Sequence, residues 1–81
     1  MATVDVRLFA SLRDLAGEPV VRVDADSVGA VVAELSARFG DRFADIARTG
    51  TVVVDGEPAS PDQPLVGGEE VAVLPPFSGG G

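Results

Sequence analysis

The 81-residue chain has no cysteine, no histidine, no tryptophan and no tyrosine, and all six of its basic residues are arginine. Each absence removes a class of function. Without Cys or His there is no disulfide framework, no thiolate nucleophile, no zinc site of the usual ligands and no imidazole base. Thirteen acidic residues against six basic ones leave a net charge of −7. That balance argues against nucleic acid and anionic membrane as partners, since both recruit clusters of Lys and Arg. The opening Met1–Arg7 lacks a basic segment followed by an apolar one, so no signal peptide is expected. No apolar run approaches the roughly 18 residues that span a bilayer. A soluble, cytoplasmic protein is expected. What is present is an apolar content of 46%, too high for a disordered acidic chain. One small domain without staples must rely on regular, mutually consistent elements.

The elements are readable from periodicity. Val4, Val6 and Leu8 alternate with Thr3, Asp5 and Arg7, which predicts a half-buried strand over about residues 3–9. Residues 10–16 predict a short helix with Leu12 and Leu15 facing inward and Gly17 closing it in a left-handed conformation. Val20, Val21 and Val23 mark a second strand near 18–24, joined to the first by a wide hairpin. Val28, Val31, Val32, Leu35 and Phe39 form one stripe of a 3.6-residue period, predicting a helix with Asp26 or Ser27 at its start and Gly40 at its end. Glu34 and Arg38 are an i,i+4 pair within it. Phe43, Ala44 and Ile46 are spaced for one further helical turn. Thr51–Val54 is a β-branched strand turning at Asp55-Gly56, and Glu57–Ala59 a brief edge strand. Residues 60–64 are loop, with Leu65 an inward anchor. Gly67-Gly68 lead into a last strand, Glu70–Leu74, which Pro75-Pro76 ends by removing two donors. The crossover through the long helix predicts a mixed sheet of four or five strands in a two-layer α+β domain. Its expected core is Val4, Val6, Leu8, Val23, Val28, Val31, Val32, Leu35, Phe39, Val54, Leu65, Val71 and Val73. Residues 1–76 form the domain and 77–81 a glycine-rich tail.

Side-chain chemistry finds no foothold. Asp24 and Asp26 begin like a calcium loop, but Val28 and Leu35 occupy positions that need oxygen ligands. The C-terminal glycines lack the Lys-Ser/Thr and the helix of a phosphate loop. Ser78 has no base, and Glu69-Glu70, as neighbours on a strand, point to opposite faces and form no catalytic dyad. No catalytic residue and no metal ligand is assigned. What remains is the end of the chain. Pro75-Pro76 direct Phe77, Ser78, Gly79, Gly80 and Gly81 away from the sheet, and glycines let a partner's walls approach closely. Extended, those five residues reach about 17 Å. The residues alone leave two readings open: a tail that presents its terminal carboxylate, or a frayed terminus. The absence of lysine is open in the same way. It could protect a reactive terminus from amines, or it could reflect composition bias. In the last strand Ala72 and Leu74 face away from Val71 and Val73, so Leu74, Pro75, Pro76 and Phe77 are expected to form a partner-binding patch beside the tail.

Val6–Gly17 and, more specifically, Leu65–Gly80 resemble the ubiquitin-like sulfur carriers of the β-grasp fold, and within them the small subunit of molybdopterin synthase, the MoaD type. The closing run carries the likeness: a Gly-acidic turn, an apolar strand, Pro-Pro and a diglycine. The resemblance implies a carrier without catalytic side chains. An adenylating enzyme related to the ubiquitin activators would use ATP on the terminal glycine, and a sulfur donor would make a thiocarboxylate. The tail, including Ser78 and Gly79, would enter a tunnel in the synthase large subunit. Sulfur would pass from Gly81 or Gly80 to the cyclic pyranopterin precursor of the molybdenum cofactor. No cofactor would be held permanently. The family ends in Gly-Gly and this chain has a third glycine; direct use of Gly81 is expected over trimming to Gly80. Carriers for cysteine synthesis, tRNA thiolation or thiazole synthesis stay open, as do a protein-conjugating modifier and a binding module with an inert tail.

Overall fold

The structure, a computed structural model, describes residues 2–76. Phe77, Ser78 and Gly79–Gly81, which carry most of the expected tail functions, lie outside the described residues. Five strands form one sheet: β1 (Thr3–Leu8), β2 (Val20–Asp24), β3 (Thr51–Val54), β4 (Glu57–Pro58) and β5 (Glu70–Leu74), in the order β2-β1-β5-β3-β4. The sheet is mixed. β1 pairs antiparallel with β2 and parallel with β5, while β3 runs antiparallel to both β5 and β4. β5, the last strand in sequence, is therefore the central one. The strands flanking the long helix are not neighbours, so the parallel contact comes instead from the two ends of the chain, β1 and β5.

Three helices cover one face: α1 (Ala10–Ala16), α2 (Val28–Phe39) and α3 (Asp41–Thr49). α1 ends at Gly17, whose φ of 80° is left-handed and whose N–H donates to the Arg13 carbonyl at 2.9 Å. α2 keeps the expected bounds. Its N-cap is Ser27, whose Oγ accepts from the Ala30 N–H at 3.2 Å. The loop after β4 completes this cap, because the Gln63 and Pro61 carbonyls accept from the N–H groups of Val28 and Gly29. That loop has little regular structure of its own, and the free donors of a helix start are what hold it. The Glu34–Arg38 pair forms at 3.1 Å.

The core comprises Val4, Val6, Leu8, Leu12, Val21, Val23, Val28, Val31, Leu35, Phe43, Val54, Leu65, Val71 and Val73, with Ala2, Ala25 and Ala47 filling between them. Among the described residues no buried polar side chain is left without a partner. Four expectations change. The turn expected after Gly40 is a nine-residue helix, and its Phe43 is fully buried. Val32 and Phe39 are only half-buried: Val32 lines an open groove between α2 and α3, and Phe39 packs against Phe43 with its other side in solvent. The Phe39 and Phe43 rings lie 5.4 Å apart and tilted by 44°. Leu15, expected inward, is 36% exposed: a two-turn helix has room for one inward row, and Leu12 with Ala16 takes it. Glu69 is not a strand residue. Its carboxylate accepts from the N–H groups of Val66 at 2.8 Å and Gly67 at 2.7 Å, clipping the turn before β5.

Candidate functional site: the open sheet face and the root of the tail

The helices cover the face that carries Val4, Val6, Val71 and Val73, so the opposite face of the sheet is open. Strand register decides what meets there. One row crosses all five strands through Val20, Arg7, Ala72, Val53 and Pro58. Toward the start of β5 the next row is charged, with Arg22, Asp5 and Glu70 side by side. The Arg22 Nε donates to Asp5 Oδ1 at 3.1 Å. Toward the other end, where the chain leaves the sheet, Leu74 stands beside Thr51. Phe9 continues β1 in extended conformation (φ −123°, ψ 149°) with the same side parity as Arg7, and it is 41% exposed. The open face thus grades from charged to apolar in the direction of the tail.

Leu74 and Pro75 are half-buried and Pro76 is exposed. β5 is held on both sides, by β1 through Val73 and by β3 through Leu74, so the point of exit is fixed to the middle of the sheet. The structure brings Leu74, Pro75 and Pro76 to that rim. Phe9 and Val53, which sequence reasoning did not single out, share the face. Their only sequence signal was alternation within β1 and β3, and the pairing of both strands with β5 had to be known to use it.

Electrostatics at this end are simple. Arg7 makes no ion pair among the described residues. The Glu69 carboxyl is held below the usual carboxylate range, chiefly by the Val66 N–H, which with the Gly67 N–H outweighs an opposing desolvation effect. A groove of about 550 Å³ lies on the helical side between α2, α3 and β3, with Val32, Ala44, Ala47 and Val52 in its lining. Leu74, Pro75 and Pro76 are not in its lining. No group of side chains suited to hold a metal occurs among the described residues. None of the described helices is long and apolar enough to cross a membrane.

A mixed five-stranded sheet with helices packed on one face and its last strand at the centre is the β-grasp arrangement of ubiquitin-like proteins. Residues 6–80 match the ThiS family, and the chain belongs to that family of ubiquitin-like sulfur carriers. It is 36% identical to the small archaeal modifier protein 1 of Haloferax volcanii, over 91% of this chain and 97% of that protein. The crystal structure of the H. volcanii modifier matches with a TM-score of 0.79 at 29% identity, covering 95% of this chain and 100% of the other. A putative molybdopterin converting factor, subunit 1, from Pyrococcus furiosus matches with a TM-score of 0.81 at 25% identity, covering 95% and 100%.

Proposed function

We propose that this chain is the sulfur-carrying small subunit of a molybdopterin synthase, working in the cytoplasm. The observation that carries the reading is the placement of the tail root: the central strand ends at Leu74, and Pro75-Pro76 lead into a glycine run whose carboxylate is the group activated in this reading. A carboxylate is a poor electrophile until an oxygen becomes a leaving group. Its oxygen attacks the α-phosphate of ATP on an adenylating enzyme, pyrophosphate leaves, and an acyl-adenylate forms. Hydrosulfide released from a sulfur donor then attacks the acyl carbon, AMP departs and the S–H proton is lost, leaving the thiocarboxylate on Gly81. The catalytic groups belong to the partners. The chain's own residues do three things: Pro75 and Pro76 aim the tail, the glycines let a tunnel close around it, and the apolar rim at Leu74, with the Phe77 side chain that follows in sequence, docks it.

The test is reconstitution. Thiocarboxylated chain, the synthase large subunit and the cyclic pyranopterin precursor should yield the dithiolene product. A sulfur-loaded chain that leaves the precursor unchanged would assign the carrier to cysteine, tRNA-thiolation or thiazole synthesis instead. A second reading, a protein-conjugating modifier, is favoured by the 36% likeness to a protein named a modifier. It requires glycine-linked adducts of this chain on lysines of other proteins, which digestion and mass spectrometry would detect.

A further inference from the structure

We infer that Gly50 is a positioning residue: it sets the direction in which the chain leaves β5, and so where the tail is delivered. Backbone freedom does not explain this glycine, because its φ of −90° and ψ of −156° are extended backbone open to any residue. Space does. A Cβ at position 50 would overlap the Leu74 carbonyl oxygen and lie 3.1 Å from the Leu74 carbonyl carbon and 3.2 Å from the Pro75 Cα. All three are backbone atoms, so no side chain can swing aside. Among the described glycines, this is the one where an added Cβ would overlap the backbone of another strand.

The contact falls where the tail root has little else to hold it. On the β1 side, pairing with β5 stops at Leu8–Val73. On the β3 side, it stops at Thr51–Leu74. The next position on β5 is Pro75, which has no N–H to donate. Gly50 stands opposite it, and its backbone packs directly against the Leu74 carbonyl and the Pro75 Cα. Gly50 is itself anchored, since its N–H donates to the Ala47 carbonyl at 3.2 Å and so ties the root of the tail to the end of α3. An alanine here must push Leu74–Pro75 outward or lift the start of β3. Val52 and Val54 on β3, paired with Val73 and Val71 on β5, resist the second movement. The displacement therefore falls on Pro75 and Pro76.

The functional consequence rests on the proposed carrier role, but one arm of the test does not. The chain has no native cysteine, so Ser78→Cys accepts a single nitroxide label. Gly50→Ala should change which open-face amides the label broadens, while the amides of β1 and β2 keep their parent shifts. In ATP–pyrophosphate exchange on the adenylating enzyme, Gly50→Ala should raise the KM for the carrier about tenfold and leave kcat unchanged. Gly56→Ala is the matched control. It strains the far end of β3, where φ is 88°, without approaching Pro75, and it should leave the broadening pattern and KM at parent values. An unchanged broadening pattern in Gly50→Ala, or an equal KM rise in both variants, overturns the inference. If the parent chain supports no exchange, the carrier reading fails, and the broadening comparison still decides whether Gly50 aims the tail.

Discussion

Phe43 lies on α3, which packs against α2 and α1, and its side chain is among the largest of those fully buried. Phe39, four residues earlier on the adjoining helix, is half-buried against it, with ring centroids 5.4 Å apart. Truncating Phe43 to alanine removes a whole ring from the core and leaves a cavity, a loss of about 3–5 kcal/mol. A domain of this size has about 4–12 kcal/mol in total, so the variant should be marginal, with a melting temperature lower by about 12 °C or more. Phe39→Ala removes a ring already half in water and should cost only about 1–1.5 kcal/mol. Because the rings touch, the double variant should fall short of additivity by about 0.5–1.5 kcal/mol. Urea unfolding of the four chains, with m-values compared to confirm two-state behaviour, measures all three quantities. If Phe39→Ala costs as much as Phe43→Ala, or the two losses add without coupling, the placement of α3 is wrong.

Three further outcomes follow from named contacts. The Glu69 carboxyl has a lowered pKa in the folded chain, so its stabilising effect is full above its unfolded value of about 4.3 and is lost as pH falls through the folded one. The stability gap between the parent and Glu69→Gln should therefore be widest near neutral pH and close on acidification; a gap that widens instead refutes the assignment. Phe77→Ala should weaken binding to the large subunit or the adenylating enzyme without lowering the melting temperature, and equal losses of both would place Phe77 in the fold rather than the interface. A chain ending at Gly80 should be activated no better than the full chain; if only the shortened chain accepts sulfur, Gly81 is a blocking residue that must be trimmed.

Much of this fold was legible because local signals agreed. Ser27, the Val28–Val31–Leu35 stripe and Gly40 bracket α2, and strict alternation in Val4, Val6 and Leu8 defines β1 and its buried face. α3 was foreshortened for a physical reason. Gly40, with φ of 95°, ends one helix and starts the next, and no side chain caps the second start. Its inward row is Phe43 and Ala47, and alanine carries little periodic signal. Strand order was the larger gap. That β5 lies between β1 and β3 depends on pairings across most of the chain, which no window of sequence contains. The site divided along the same line. Leu74, Pro75 and Pro76 were visible because their chemistry is local, whereas Phe9 and Val53 join them only through register. Gly50 carried no signal in the sequence, because the Leu74–Pro75 backbone that leaves no room for a Cβ there comes from a distant strand.

Intact mass spectrometry of the full chain, after incubation with ATP, the adenylating enzyme and a sulfur donor, tests the carrier role most directly. Replacement of one terminal oxygen by sulfur should raise the mass by about 16 Da, with the change confined to a C-terminal fragment containing Gly81. A folded chain that stays at its original mass while the same enzymes load sulfur onto another carrier would contradict the account.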